Sequence, residues 1–195
     1  MADPRPPYTA FRQRFVAGQT RHAHEGANWR KYLVGGQKPI ATILSCSDSR
    51  MPPELVFDQG FGELFVVRVA GSVIAADVVG SIAYAAFHLH TPLFLVMGHT
   101  SCGAVTAALD ARLKGMEEPE AIAALVRLID PALKRVKLDA PYQTALAAAI
   151  EENVRWSVSQ LAALPHAKEL LRTGKITLAG AVYDLQTGTV TFLDK

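Results

Sequence analysis

Cysteine is scarce in this chain, and long apolar runs are missing. Only two of the 195 residues are cysteine, which excludes a disulfide framework. Their scarcity indicates a reducing compartment and a metal-binding or catalytic role for the two thiols. No run reaches the roughly 18 uninterrupted apolar residues that a membrane span needs. The first residues lack the apolar core of a secretory signal, so we expect no such signal.

Basic clusters and phosphate-binding motifs are also missing. The net charge is only +2, and no Lys/Arg block with interleaved aromatic residues occurs, which argues against nucleic acid as a partner. Neither a phosphate-binding loop nor a dinucleotide fingerprint is present. Half of the residues are hydrophobic, enough for one sizeable core. Since no internal repeat or domain boundary is visible, we expect residues 1–195 to form one domain.

Strand and helix patterns alternate through the first half of the chain. This alternation implies a parallel sheet with right-handed crossovers, so the expected fold is α/β: a mainly parallel central sheet flanked by helices, with the last strands at or near one edge. The predicted strands are 40–45, 64–69, 92–98, 175–183 and 189–193. The predicted helices are 28–33, 75–89, 103–114, 121–129, 142–164 and 166–172.

Both cysteines follow apolar runs that predict buried strands. Cys46 comes just after the strand at 40–45, and His99 and Cys102 follow the strand at 92–98. Metal and ligand sites of open α/β sheets collect at the carboxyl ends of the strands. Zinc takes thiolate and imidazole ligands in a tetrahedral shell, and three protein ligands leave one position open. We therefore predict that Cys46, His99 and Cys102 surround one Zn²⁺ ion.

A carboxylate and a guanidinium follow the first cysteine. Asp48 and Arg50 are two residues apart, which puts them on the same side of an extended segment. Pairing with arginine is geometrically specific and keeps an aspartate ionised. Two thiolates cancel the charge of a dication, so a water on this zinc is harder to ionise than one on three neutral histidines. The Asp48–Arg50 pair would help by orienting that water; a purely structural ion pair is the alternative.

Two motifs together resemble the β-class carbonic anhydrases. They are Cys46-x-Asp48-x-Arg50 and His99-x-x-Cys102. The resemblance implies a carbonate dehydratase, in which a zinc-bound hydroxide oriented by Asp48 converts carbon dioxide to bicarbonate and a proton. It also implies that the three zinc ligands are Cys46, His99 and Cys102. In some members the aspartate becomes a fourth zinc ligand and shuts the enzyme off, so Arg50 would hold Asp48 away in the active form.

The resemblance extends to a substrate pocket. It implies a hydrogen bond to substrate from Gln37, apolar walls at Phe65 and Tyr84, and a bicarbonate donor at the backbone N–H of Gly103. Ala70 stands where a valine is frequent. The family's common Arg-Asn-x-Ala-Asn segment is Arg-Val-Ala-Gly-Ser at 68–72, so the departures are Val69, Ala70 and Ser72. These departures affect the width of the pocket and hence substrate preference.

Assembly and location are further implications of the resemblance. It implies a homodimer, with tetramers or larger assemblies left open, in which an N-terminal helical arm at 1–35 wraps the partner. The apolar residues Phe11, Phe15 and Trp29 agree with such an arm. The expected location is the cytoplasm or a reducing microcompartment within the cell. No membrane partner is expected.

Other functions remain open at this point. A hydrolase of carbonyl sulfide or carbon disulfide could use the same scaffold, and the pocket departures motivate that alternative. A non-catalytic, zinc-stabilised binding or regulatory module is an alternative of another class. A dithiol redox protein is a third, weaker interpretation. A serine nucleophile at Ser47 or Ser49 is disfavoured because no histidine base is adjacent in sequence.

Overall fold

A five-stranded sheet forms the centre of the molecule in the computed structural model, which describes residues 26–193. Its strands lie in the order β2-β1-β3-β4-β5. The first four are parallel, and β5 runs antiparallel to β4. The α/β prediction is confirmed, with the last strands at one edge. The strands are β1 (Ala41–Ser45), β2 (Leu64–Arg68), β3 (Leu93–His99), β4 (Thr177–Tyr183) and β5 (Val190–Leu193).

Seven helices are described around this sheet within residues 26–193. A single 3₁₀ turn, Ala70–Ser72, also follows β2 and is called the 70–72 turn below. The described helices are α1 (Ala27–Leu33), α2 (Pro53–Val56), α3 (Ala76–Phe87), α4 (Gly103–Lys114), α5 (Glu120–Leu133), α6 (Tyr142–Ala163) and α7 (Pro165–Arg172).

The core lies on both faces of the sheet because side chains alternate along each strand. On β3, Leu93, Leu95 and Met97 pack into one apolar cluster, and Phe94 and Val96 pack into the other. All seven residues of β3 are buried. A parallel strand that is covered on both faces reads as a continuous apolar run, which is why the run before His99 was visible in the sequence.

Helix α6 approaches the sheet closely where two strands carry glycine. A Cβ at Gly98 of β3 would lie 2.7 Å from Val154 Cγ2, and a Cβ at Gly180 of β4 would lie 2.9 Å from Val154 Cγ1. Such distances leave no room for a side chain, so the two glycines set the height of α6 above the sheet. The helix therefore passes directly over the part of β3 that leads to His99.

One helix boundary was predicted wrongly. The sequence predicts that the helix at 121–129 ends near Pro131, but α5 continues through Pro131 to Leu133. Ile129, Ala132 and Leu133 are buried. Burial of a large apolar side chain contributes about 1.5–3 kcal/mol, and the cost of an interior proline is about 3 kcal/mol. Burial of the two large side chains, Ile129 and Leu133, therefore offsets the cost of Pro131.

The predicted N-terminal arm falls mostly on residues that precede the described part. Phe11 and Phe15 lie outside residues 26–193, whereas Trp29 lies on α1 and its indole N–H donates to the carbonyl of Phe61 at 2.8 Å. Within the described residues, no helix has both the length and the apolar character needed to cross a bilayer.

The close approach of α6 predicts opposite effects for two glycine substitutions. Gly98→Ala should lower the free energy of unfolding by about 1–3 kcal/mol, because the new methyl group overlaps Val154. Gly80→Ala is the control, since Gly80 lies inside α3 with nothing within 4 Å of an added Cβ. It should be neutral or stabilise by about 0.5–1 kcal/mol. Urea unfolding measures both, and equal effects would contradict this packing.

Candidate metal centre

The two predicted ligand segments meet because β1 and β3 are neighbouring parallel strands. Ser45 of β1 pairs with Met97 of β3, so the residue after β1 and the last residue of β3 lie at the same edge of the sheet. The ligand atoms of Cys46, His99 and Cys102 all lie within 4.8 Å of one another, and the three residues are buried. The structure thus brings together two sulfur atoms and one imidazole nitrogen from distant parts of the chain.

The spacing of the sulfur atoms suits a tetrahedral zinc ion. The Sγ atoms of Cys46 and Cys102 are 4.0 Å apart. Two sulfurs bound tetrahedrally at about 2.3 Å from zinc are separated by about 3.8 Å, whereas sulfurs in a disulfide are about 2.05 Å apart. The cysteines are free thiols. Their separation therefore fits a shared metal ion and not a covalent bond.

The orientation of His99 also fits a metal ligand. Its Nδ1 donates to the carbonyl oxygen of Thr100 at 2.9 Å, so the proton of the neutral ring sits on Nδ1. Its Nε2 is buried and has no hydrogen-bond partner among the described residues. Thr100 is itself held, since its N–H donates to the carbonyl of Tyr183 at 2.9 Å. A histidine with a fixed tautomer, whose other ring nitrogen is buried and accepts no hydrogen bond, is typical of metal-binding sites.

The two thiols shift each other's pKa in opposite directions. The hydrogen bond from Cys102 lowers the pKa of Cys46, with smaller contributions from His99 and the N–H of Gly71. The contact with Cys46, and then burial, raises the pKa of Cys102 far above its usual range. Without a cation, the second thiolate would meet the charge of the first in a dry site. A bound dication removes that repulsion.

Asp48 and Arg50 form the predicted pair beside the cysteines. Arg50 Nε donates to Asp48 Oδ1 at 2.9 Å, and Arg50 Nη2 donates to Oδ2 at 2.6 Å. These hydrogen bonds hold the pKa of the Asp48 carboxyl well below its usual range. Asp48 Oδ2 lies 3.8 Å from His99 Nε2, beyond hydrogen-bond distance. The carboxylate is therefore ionised, next to the candidate ligands, and engaged by the guanidinium.

Three groups that the sequence did not identify support this corner of the fold. Arg68, at the end of β2, donates to the carbonyl oxygens of Cys46 at 3.0 Å and of Asp48 at 2.6 Å. The N–H of Gly71 donates to Cys46 Sγ at 3.4 Å. Asn153 of α6 donates to the carbonyl oxygen of Gly71 at 2.7 Å. In the sequence, only the position of Asn153 as a polar residue within the apolar stripe of a helix could have identified it.

The predicted pocket residues divide into two groups. Ala70 precedes Gly71, and Gly103 begins α4 directly after Cys102, so both flank the metal centre. Phe65 and Tyr84 stack on each other with ring centroids 6.2 Å apart. Phe65 packs against the apolar cluster on one face of the sheet, whereas Cys46 and Cys102 belong to the cluster on the other. Within one chain, the aromatic rings and the metal centre therefore lie on opposite faces of the sheet.

Gln37 also lies away from the metal centre. It is exposed and precedes Ala41, the first residue of β1, by four positions. The amino end of a strand lies at the edge of the sheet opposite to its carboxyl end, where Cys46 is found. Gln37 of the same chain is therefore not at the site.

These observations define a class of protein: an α/β fold with a buried Cys-His-Cys group, able to hold a metal ion, at the carboxyl edge of its sheet. Comparisons with known proteins give the family. The carbonic anhydrase family profile matches residues 41–190. Carbonic anhydrase 2 of Mycobacterium tuberculosis is 38% identical over 183 residues, which cover 93% of this chain and 87% of that protein. The carbonic anhydrase of Mycolicibacterium smegmatis is 45% identical over 120 residues, 62% of this chain and 58% of that protein.

Solved structures agree with this assignment. The β-carbonic anhydrase CcaA has a TM-score of 0.78 at 26% identity, with 93% of this chain and 94% of that chain covered. A β-carbonic anhydrase of Sordaria macrospora, at 21% identity and a TM-score of 0.78, shares the fold. The chain belongs to the carbonic anhydrase family, in its β class, and its enzyme class is carbonate dehydratase.

The Asp48–Arg50 geometry predicts how the carboxyl titrates. In the metal-free protein, Arg50→Ala removes both guanidinium bonds but keeps the backbone N–H bond to Asp48, so the pKa of Asp48 should rise toward the ordinary aspartate value of about 4. The carboxylate would then protonate in mild acid, where the unmodified protein keeps it ionised. The ¹³C chemical shift of Asp48 Cγ against pH measures this. Arg112→Ala, which removes the Arg112–Asp130 pair, is the control and should leave Asp48 unchanged. An Asp48 pKa that stays low in Arg50→Ala would contradict the assigned cause.

Proposed function

We propose that the chain is a zinc-dependent carbonic anhydrase that hydrates carbon dioxide reversibly to bicarbonate and a proton. The observation that carries the proposal is the buried Cys-His-Cys group, with its unpaired His99 Nε2, beside an ionised Asp48. Three donors of this kind hold zinc and leave one coordination position open. Zinc bound there would supply a Lewis acid that lowers the pKa of a water molecule far below its value in bulk water.

In this proposal Asp48 orients the attacking oxygen. Arg50 binds both carboxylate oxygens, so the carboxylate remains ionised and accepts a hydrogen bond from the hydroxyl that attacks carbon dioxide. A fixed acceptor turns the lone pair of that oxygen toward the carbon atom. The new C–O bond gives bicarbonate, and the proton released from water passes to buffer. The same Arg50 contacts keep Asp48 from acting as a fourth zinc ligand, the role we propose for it in a closed state.

Ala70 and Gly103 complete the part of the pocket that one chain supplies. Gly103 is exposed, and an added Cβ there would meet nothing within 4 Å. As the first residue of α4, its N–H has no acceptor inside the helix. We propose that it donates to an oxygen of bicarbonate. Ala70, partly exposed beside Gly71, forms the adjacent wall.

The positions of the remaining pocket residues support a homodimer. Phe65 lies on β2, an edge strand of the sheet, and its stacking partner Tyr84 is 49% exposed. An exposed aromatic stack at an open sheet edge is suited to a second copy of the chain. We propose that Phe65, Tyr84 and Gln37 of each copy line the metal centre of the other. The Sordaria macrospora β-carbonic anhydrases are described as tetrameric, and pairing of such dimers is compatible with this arrangement.

Location follows from the chemistry of the ligands. The two sulfur atoms must remain reduced to hold the metal, and they are free thiols 4.0 Å apart. We therefore propose that the enzyme works in the cytoplasm or in a reducing microcompartment within the cell.

Metal content and carbon dioxide hydration test the proposal. The purified protein should hold about one zinc per chain and hydrate carbon dioxide in stopped-flow assays. Removal of zinc by a chelator should abolish hydration, and added zinc should restore it. Cys102→Ser should lose both the metal and the activity. Ser47→Ala is the control, because Ser47 is exposed next to Cys46; it should keep both.

Two results would instead favour the alternatives. A protein that retains zinc but does not hydrate carbon dioxide between neutral and alkaline pH would be a zinc-stabilised binding module. Faster release of hydrogen sulfide from carbonyl sulfide than hydration of carbon dioxide would assign the sulfur substrate.

Mixed dimers test the second copy's contribution. Cys102→Ser lacks its own metal centre, and Tyr84→Ala lacks part of the proposed wall. If the wall acts on the other copy, a mixed dimer has one intact site, made from the metal centre of one variant and the wall of the other. Statistical co-expression should then give roughly a quarter of the unmodified activity per chain. No recovery above the two separate variants would show that the wall and the metal centre do not combine between copies.

A further inference from the structure

The 70–72 turn next to Cys46 has an unusual backbone conformation. Gly71 has φ +73° and Ser72 has φ +51°. Positive φ is unfavourable for any residue with a Cβ, so Ser72 is held there by other interactions. Gly71 also has no space for a side chain, since a Cβ would lie 2.8 Å from Ile129 Cδ1. This strained turn is the segment whose Gly71 N–H reaches Cys46 Sγ at 3.4 Å.

Two buried polar residues of α6 hold this turn. Asn153 Nδ2 donates to the carbonyl oxygen of Gly71 at 2.7 Å, and Ser157 Oγ donates to the carbonyl oxygen of Ser72 at 3.0 Å. They are one helical turn apart, and their exposed fractions are 3% and 1%. The hydroxyl of Ser72 donates to the carbonyl of Met97 at 3.1 Å. The turn is thus bonded to α6 on one side and to β3 on the other.

Folding stability alone does not account for Asn153. Its Oδ1 is buried and has no hydrogen-bond partner among the described residues. An unpaired buried amide oxygen destabilises a fold, and an apolar side chain at the same place avoids that cost. The amide is therefore of use mainly through its other end, which binds Gly71.

We infer that Asn153 and Ser157 are positioning residues of the metal centre, which orient the Gly71 N–H toward the sulfur of Cys46. The inference rests on the zinc site of the proposed function. A hydrogen bond to a thiolate withdraws electron density from sulfur, so less negative charge is donated to the metal. Two thiolates at one zinc weaken its action as a Lewis acid, and this bond offsets part of that effect.

The test compares Asn153→Leu with a destabilised control on the same helix. Leu161→Ala is the control because Leu161 is buried on the same stripe of α6, two turns beyond Asn153. Zinc affinity is measured by competition with a chromophoric chelator. Asn153→Leu should bind zinc roughly 10–100-fold more weakly, because the N–H that stabilises the Cys46 thiolate and fixes its position is no longer held by α6. Leu161→Ala should bind it as the unmodified protein does, even though it unfolds more easily.

Cobalt substitution supplies a readout that a purely structural role would not change. Loss of the N–H···S bond raises the energy of the sulfur electrons, so the thiolate-to-cobalt charge-transfer band of Asn153→Leu should move to longer wavelength. The band of Leu161→Ala should stay in place. Ser157→Ala, which removes only the bond to Ser72, should move the band in the same direction by a smaller amount, and it decides the question if Asn153→Leu does not fold.

The outcomes separate this inference from the proposed function. If the unmodified protein binds neither zinc nor cobalt, the metal site and the inference both fail. If it binds both metals but Asn153→Leu and Ser157→Ala keep its zinc affinity and its cobalt band, the proposed function stands and the inference is overturned. Equal losses in Leu161→Ala would also overturn it, because the effect would then be one of general stability.

Discussion

The metal centre depends on the pairing of β1 with β3 as parallel neighbours in one fixed register. That pairing puts Ser45 beside Met97, and so carries Cys46 and His99 to the same edge of the sheet. A shift of one residue would turn every side chain of a strand to the opposite face. The glycine at position 98 and the fully buried β3 secure this register, since helix α6 packs directly on the strand. The packing of α6 on β3 therefore also fixes the relative positions of Cys46 and His99.

Negative charge is concentrated at this edge and is balanced mainly by groups of the loops. Cys46 and Asp48 follow the same strand, and neighbouring groups lower the pKa of each: the contact with Cys102 for Cys46, and the guanidinium of Arg50 for Asp48. Arg50 binds the carboxylate, and Arg68 binds the backbone of the segment that carries both residues. The N–H of Gly71 meets the sulfur. Because these donors come from loops and strand ends, the chemistry of the site depends on how those loops are anchored to the surrounding helices.

Sequence patterns predicted the main strands and helices, and the structure brings the three predicted ligand residues together. The assignment of the pocket residues stays a prediction. The buried strand before His99 and the helix at Gly103–Lys114 were visible as apolar runs and periodicity, which are local properties. Pro131 was predicted to end a helix, but the burial of the residues on either side outweighs the cost of an interior proline. Phe65 and Tyr84 were assigned to the pocket through family resemblance. Their position on the other face follows from the alternation of side chains along β2, together with the packing of α3.

The sequence alone determined the donor atoms and the strand ends that carry them, because residue type and hydrophobic period are written locally in the chain. Tertiary structure decided which groups support those donors. Asn153 and Gly71 are 82 residues apart, and Gly71 and Cys46 are 25 apart. Neither contact has a local signature, since each joins segments that meet only in the folded chain. The Cys-His-Cys group could therefore be predicted from the sequence, whereas the hydrogen bonds between α6 and the turn beside Cys46 appear only in the folded chain.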